Sequence, residues 1–367
     1  MERIRFGIVG AVGRGNSYVR SLSAHPATEI VALCDIRLEE AKRAAAELGV
    51  EHVFGSVDAL LDAEVVDAVV IGTPMQFHAP QAMAALARDV HVLCEVTAGV
   101  SIEECRDLVC AARLSSAQYM MAENYAYMKQ NVLVCALVEQ GLFGDVYYGE
   151  GAYIHELKGL NEQTPWRRRW QTGVNGSTYP THSLGPVLQW FGGQRVTAVC
   201  AMGTGHHYRD PRGDQYEMED SVTMMCRMSR GGLVQIRVDM LSERPHQMTH
   251  YALQGTDGCY ESGDGFRGEA RIWLRSRSQA HQWEALSELE SFLPDYWKNP
   301  PEEVLRAGHG GGDWWEVQDF VDSIREGRPA PIDIDAAMDM TLPGLASQES
   351  IAQGGTWVAV PDPRNWT

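Results

Sequence analysis

No stretch of about 18 consecutive apolar residues, the length a membrane-crossing helix needs, occurs in the chain. The N-terminal MERIRFGIVG enters an apolar strand pattern without signal-peptide architecture. The expectation is a cytoplasmic protein with no membrane partner. A basic stripe is also missing: the formal net charge is -18, which repels phosphate backbones and anionic surfaces and argues against nucleic acid as a partner. Eight cysteines are present but no CxxC pair. Several stand in apolar runs, as reduced buried thiols do, so neither a disulfide framework nor a cysteine-rich zinc site is expected. Other metal-ligand types are available in His155, Glu156, His182, His206, His207, His246, His309 and Asp313. No pair of them has HExxH-like spacing, and no metal is predicted.

What is present is a 367-residue chain that is 44% hydrophobic, enough for two ordinary cores. No internal repeat or low-complexity tract interrupts it. From residue 4 to about 122, short apolar runs alternate with amphipathic stretches: IRFGIVG, EIVALCD, VVDAVVIGTP and HVLCEV each precede a helix-like segment. In LEEAKRAAAELG, Leu38, Ala41, Ala45 and Leu48 recur at helical spacing. Ser101 with Glu104 forms a capping box that starts a helix near residue 102. Strands alternating with helices predict a doubly wound, Rossmann-type parallel sheet over residues 1–122. Beyond about residue 145 longer β-like runs follow one another until two late helical stretches, 314–327 and 336–353. Residues 123–367 therefore read as an α+β domain with a mostly antiparallel sheet, whose C-terminal helix packs back on the first domain.

The chemistry begins at GAVGRG (10–15), which follows a strand and opens a helix, the context of a dinucleotide fingerprint. Glycines let the backbone approach a pyrophosphate, and the helix start supplies free N–H groups. Gly10, Val12, Gly13, Arg14 and Gly15 are thus cofactor-binding candidates, although Val12 takes the place of the middle glycine and shifts the turn by one. Asp35, about 20 residues further on at the end of the second strand, suits the two ribose hydroxyls of NAD and repels the extra phosphate of NADP, with Arg37 partly offsetting that repulsion. The competing reading is a glycine turn with a helix-capping Asp. Thr73, Pro74 and His78 in TPMQFHA follow the next strand at the ligand edge of the sheet, where His78 lines the cofactor or caps a helix.

In the second half, Tyr179 and His182 stand three residues apart at the start of a helix, and Tyr153 and His155 share one strand face. A neutral imidazole near pH 7 is suited to proton transfer. Such a Tyr–His pair is equally often mere packing. In GHGGGDWW (308–315), Asp313 reads first as a helix N-cap, and the glycines around His309 suit a loop that closes over substrate. PWRRRW (165–170) reads either as an ion-pair patch or, through Trp166 and Arg167, as a substrate-binding run that stacks on a sugar or grips an anionic group.

GIVGAVGRG, the strand ending at Asp35, TPMQFHA and the strand ending at Glu95 resemble the glucose-fructose oxidoreductase, inositol dehydrogenase and rhizopine-catabolism superfamily (Gfo/Idh/MocA), over essentially the whole chain. That resemblance implies hydride transfer between NAD(P) and a sugar or polyol hydroxyl. It also implies cofactor contacts from Glu95, Val96 and Asn124, and a homo-oligomer. The ordinary dehydrogenases carry Glu-Lys-Pro where this chain has Glu95-Val96-Thr97, and an Asp where it has Thr178, four residues before His182. YPTHSLGPV, ENYAYM, YIHEL and GHGGGD resemble instead the NAD-dependent glycoside hydrolases of the superfamily. These oxidise the sugar at C3, eliminate the C1 substituent, add water and return the hydride. On that pattern His182 is the C3 base with Tyr179 beside it. Tyr153, His155 and Glu123 handle the C2 proton, and the partner is a small sugar or glycoside, an anionic one if the arginine run is functional. An ordinary NAD(P)-dependent sugar or polyol dehydrogenase and a non-catalytic NAD-binding sensor are the alternatives.

Overall fold

The computed structural model describes residues 3–164, 166–167, 174–263 and 268–366. Two compact units emerge. The first takes residues 1–127, 301–338 and 363–367, and the second 128–300 and 339–362. The chain thus leaves the first unit five residues beyond the expected boundary at 122 and twice returns to it. It stays until 127 because the turn at Asn124–Tyr127 is tied to the helix Gly312–Glu326 through the Asn124–Asp313 bond.

In the first unit β1 (Ile4–Val9), β2 (Thr28–Cys34), β3 (His52–Phe54), β4 (Ala68–Ile71), β5 (His91–Glu95) and β6 (Tyr119–Ala122) form one parallel sheet in the order β3-β2-β1-β4-β5-β6. Every residue of β4 and β6 is buried, as a sheet covered on both faces requires. The register sets Val9 against Cys34 and Ile71, Ile71 against Cys94, and Glu95 against Ala122. All these strands therefore end at one edge. Whatever follows each strand in sequence is delivered there: Gly10, Asp35, Thr73, Val96 and Glu123. On the helix Leu38–Leu48, Ala41 and Ala45 are buried as expected, but Leu48 is exposed because the helix ends beside it at Gly49, φ +70°. Ser101 caps the helix Ile102–Leu114 by accepting from the Glu104 N–H at 3.1 Å. Glu104 in turn reaches the Val100 N–H rather than that of Ser101 itself.

The second unit holds β7 (Val146–Ile154), β8 (Val196–Gly203), β9 (Ser221–Met228), β10 (Leu233–Asp239), β11 (Met248–Gly255), β12 (Gly258–Glu261), β13 (Arg271–Leu274), β14 (Glu284–Ala285) and β15 (Val358–Ala359). They pair in the order β14-β13-β12-β11-β7-β10-β9-β8-β15. Only β7 and β10 run parallel, so the sheet is mostly antiparallel as expected. One face packs on the helix Thr181–Trp190. Two glycines of β7 make that approach possible: a Cβ on Gly149 would lie 2.8 Å from Val187, and one on Gly151 would overlap the Ser183 carbonyl. Tyr153, two residues further along the same face of β7, consequently meets His182 in the first turn of that helix.

No helix among the described residues is long and apolar enough to cross a membrane. All eight cysteines are free.

Candidate active-site residues in the two units

At the strand edge of the first unit, packing demands two glycines of the fingerprint. Gly10 sits at φ +78°, and a Cβ on it would come within 2.6 Å of the Gly72 carbonyl; one on Gly15 would lie 2.9 Å from Gly10 O. Gly13 is different, since a Cβ there would meet nothing nearer than 3.6 Å. Its bare, exposed backbone is what a pyrophosphate needs rather than what the protein core needs. The turn leads into a 3-10 segment, Arg14–Tyr18, before the α-helix Val19–Ala24. Asp35 is buried and accepts from the backbone N–H of Val12 at 3.0 Å and of Arg37 at 2.9 Å. That ties Asp35 to the glycine turn. Arg37 also places its Nε 3.3 Å from Asp35 and a guanidinium nitrogen 3.8 Å from Glu40.

Glu95 ends β5 as a buried ion-pair partner. Its Oε1 accepts from Arg14 Nε and from the Tyr18 hydroxyl, both at 2.6 Å. The strand end is thereby clamped to the fingerprint, a role legible in neither motif alone. The peptide bond after it, Val96–Thr97, is cis. His78 does not cap the helix His78–Leu86 that it begins. Its two ring nitrogens lie 2.8 Å from the Thr97 and Thr73 carbonyl oxygens, so the ring staples the segment after β5 to the segment after β4. Thr73 is held by donating to Gln81 at 2.7 Å, and Pro74 sits at the head of the short turn Met75–Phe77.

Asp313 is not the N-cap expected of it. The left-handed Gly310 and Gly311 turn the chain so that the helix begins at Gly312, leaving Asp313 inside its first turn with its carboxylate directed sideways. There Oδ1 takes His309 Nδ1 at 2.7 Å and Asn124 Nδ2 at 3.1 Å. The shorter contact makes Nδ1 the protonated nitrogen of His309, whose ring also packs 5.6 Å from that of Tyr125. His309 is therefore pinned rather than loose. Asn124 keeps a buried Oδ1 with no partner among the described residues, an acceptor left over for a ligand. Glu123 is buried and accepts from the Tyr125 N–H at 3.1 Å.

Sequence reasoning missed Glu316. It lies one helical turn beyond Asp313, is fully buried, and neither carboxyl oxygen has a hydrogen-bond partner among the described residues. Burial, then Asp313, Glu95 and Glu123, push its carboxyl well above the ordinary range, with Arg14 acting the other way. The same burial, with Glu316 and Glu95, raises the Tyr18 hydroxyl.

The second unit gathers its candidates without carboxylates. Tyr153 and His155 bond through the hydroxyl and Nδ1 at 2.9 Å, and Tyr179 and His182 through the hydroxyl and Nε2 at 3.1 Å. The Tyr153 ring stands 5.2 Å from that of His182 and 5.8 Å from that of Tyr179, so the two pairs form one cluster. Burial and then His246 lower His155 to about 4, with smaller contributions from His182 and Arg167 and with Glu156 opposing them. Position 178, where an acid was missing, holds a buried threonine.

The helix carrying His182 contains Pro186, which has no N–H to give to the His182 carbonyl four residues back. Tyr251 of β11 supplies the missing donor through its hydroxyl, fixing the histidine's backbone. The Arg167 guanidinium lies 4.4 Å over the Trp166 ring. Arg168 and Arg169 fall outside the described residues.

A doubly wound sheet with a glycine turn, a buried acid after β2 and an ion-paired strand end accords with the NAD-binding oxidoreductases of the Gfo/Idh/MocA class, to which the first unit is matched. Residues 4–123 match the oxidoreductase family described as NAD-binding Rossmann fold, and residues 127–366 match the glycosyl hydrolase 109 C-terminal domain. The chain belongs to glycosyl hydrolase family 109. It is 30% identical to a glycosyl hydrolase family 109 protein of Saccharopolyspora erythraea, over 98% of this chain and 83% of that one. It is 28% identical to an alpha-N-acetylgalactosaminidase of Tannerella forsythia, over 98% of this chain and 86% of that one. In fold it is similar to a levoglucosan dehydrogenase solved with NADH and levoglucosan, with a TM-score of 0.84 and 21% identity over 98% of this chain and 100% of that one. The protein is an NAD-dependent, glycosidase-like enzyme of the oxidoreductase superfamily.

Proposed function

We propose that the protein hydrolyses a glycoside without net oxidation, through temporary oxidation of the sugar at C3. The observation that carries this reading is the paired Tyr–His cluster of the second unit, together with Val96 in the place of a proton-handling lysine. NAD, when bound, takes the C3 hydride and later returns it. His182, steadied by Tyr179, accepts the C3 hydroxyl proton, which leaves a ketone that acidifies the C2 hydrogen. Tyr153 takes that C2 proton as its own hydroxyl proton passes to Nδ1 of the neutral His155. The C1–O bond then breaks, its electron pair leaving with the glycosidic oxygen and an enone remaining. Water adds at C1, the proton returns to C2, and reduction at C3 releases the sugar. Proton transfer by such groups contributes about 10² to 10⁴ in rate.

Residues for the cofactor are Gly10, Gly13, Gly15, Asp35, Arg37 and Asn124, with Glu95 and Arg14 clamping the strand end. Arg167 on Trp166 suits a sugar face or an anionic substituent. The alpha-N-acetylgalactosaminidase names among the relatives make N-acetylhexosaminides the first substrates to try. Nitrophenyl N-acetylhexosaminides and plain hexosides, given with NAD, report release and NADH absorbance together. Release without lasting NADH, accompanied by exchange of the C2 hydrogen with deuterated water, is expected. Steady NADH without release identifies an ordinary dehydrogenase and overturns the reading.

A further inference from the structure

The elimination needs two bases and one acid, and the two Tyr–His pairs account only for the bases. His155 is an unsuitable acid near neutrality, since burial and then His246, with smaller contributions from His182 and Arg167, hold it at about 4 against the opposing Glu156. An imidazole with that value is unprotonated, and its Nδ1 is already engaged by Tyr153.

A third imidazole stands against it. His246 lies in the loop between β10 and β11, with its ring 4.9 Å from that of His155 at 73°, edge to face. It is exposed, and it makes no hydrogen bond among the described residues. It also has no ion-pair partner there. Exposure allows it to exchange protons with water, and contact with His155 keeps it beside the cluster.

Resting on the redox-neutral reading above, we infer that His246 is the general acid that protonates the departing glycosidic oxygen. As the C1–O bond breaks, the oxygen keeps the bonding pair and takes the His246 proton, leaving a neutral imidazole. That imidazole then accepts a proton from the water that adds at C1, which restores the acid. No further reactant is required.

The test compares His246→Asn and His246→Phe with the wild-type holoenzyme on methyl and dinitrophenyl glycosides of the same sugar. A dinitrophenolate leaves without protonation, whereas a methoxide does not. The expected result is a loss of about 10² to 10⁴ on the methyl glycoside for both variants. On the dinitrophenyl glycoside the loss is only severalfold, and C2 hydrogen exchange continues at the wild-type rate. Equal losses on both substrates, or slowed C2 exchange, overturn the assignment. So does a His246→Phe variant that keeps wild-type activity on the methyl glycoside, because the ring contact alone would then suffice. A wild-type enzyme that accumulates NADH and cleaves neither glycoside instead overturns the redox-neutral reading itself.

Discussion

The two units solve the problem of holding reactive side chains by opposite physical means. In the first, charge is locked: buried carboxylates have fixed partners, Glu95 in the half-buried Arg14 and Asp313 in His309. In the second, the cluster is built of phenols and imidazoles, and hydrogen bonds at 2.9 and 3.1 Å align them. Locked charges suit a site that must bind the same cofactor in the same way at every turnover. Hydrogen-bonded phenol–imidazole pairs suit protons that must move, because each pair already joins a donor to an acceptor.

The sharpest way to break this contrast is His182→Ala. Turnover should fall by about 10² to 10⁴ while NAD affinity, measured by fluorescence titration, stays as in the wild type. Unchanged turnover would remove the second unit from proton transfer. Next in size is Arg14→Met, which leaves Glu95 buried with only the Tyr18 hydroxyl. Loss of one partner from a buried pair costs about 3–5 kcal/mol, and the partial exposure of Arg14 places this one near the lower end. Urea unfolding reads the cost, and adding Glu95→Gln should recover part of it. A double variant no better than the single one would show that the charges are not locked to each other.

Asp35→Ser removes a charged hydrogen-bond acceptor of about 1.5–3 kcal/mol, so NAD should bind about tenfold to a hundredfold more weakly, with NADP little affected. Equal weakening of both cofactors would dissociate Asp35 from the ribose.

Glu316 provides a pH test. Its folded carboxyl is raised above the unfolded value near 4.3, so the stability it contributes is complete below that pH and is lost as pH rises toward the folded value. The slope is about 1.4 kcal/mol per pH unit. Glu316→Gln should therefore gain on the wild type steadily between about pH 5 and pH 7 in urea midpoints. Parallel pH profiles would mean that Glu316 is ionised in the fold. The smallest effect is expected of Tyr251→Phe. It leaves the His182 carbonyl without its donor at a cost of about 0.5–1.5 kcal/mol, seen as a modest fall in kcat with NAD affinity intact.

Much of the first unit could be read directly because a parallel sheet delivers its strand ends, in chain order, to one edge. GAVGRG, Asp35, TPMQFHA and Glu95 are all strand-end segments, and locating the strands located them. The clamp between Glu95 and Arg14 was not readable, since the two are far apart in sequence and each motif is complete without the other. Asp313 was misread as a cap for a different reason. The left-handed conformations of Gly310 and Gly311, which no periodicity encodes, moved the helix start ahead of it by one residue. Glu316 was overlooked because a single glutamate at helical spacing looks like a solvated face.

Local pattern by itself determined the alternation of strand and helix, the glycine turn, the acid after β2, the loss of the lysine at Val96 and the closeness of Tyr153 to His155, although β7 ends at Ile154 and His155 stands just beyond it rather than on the strand. Each of these depends on residues within a few positions of one another, where backbone geometry decides. Tertiary structure alone decided that Gly149 and Gly151 let the helix Thr181–Trp190 lie on β7 so that His182 meets Tyr153. It also decided that Tyr251 answers the carbonyl left bare by Pro186, and that His246 rests on His155. Those are contacts between distant segments, fixed by which surfaces can approach closely enough to pack.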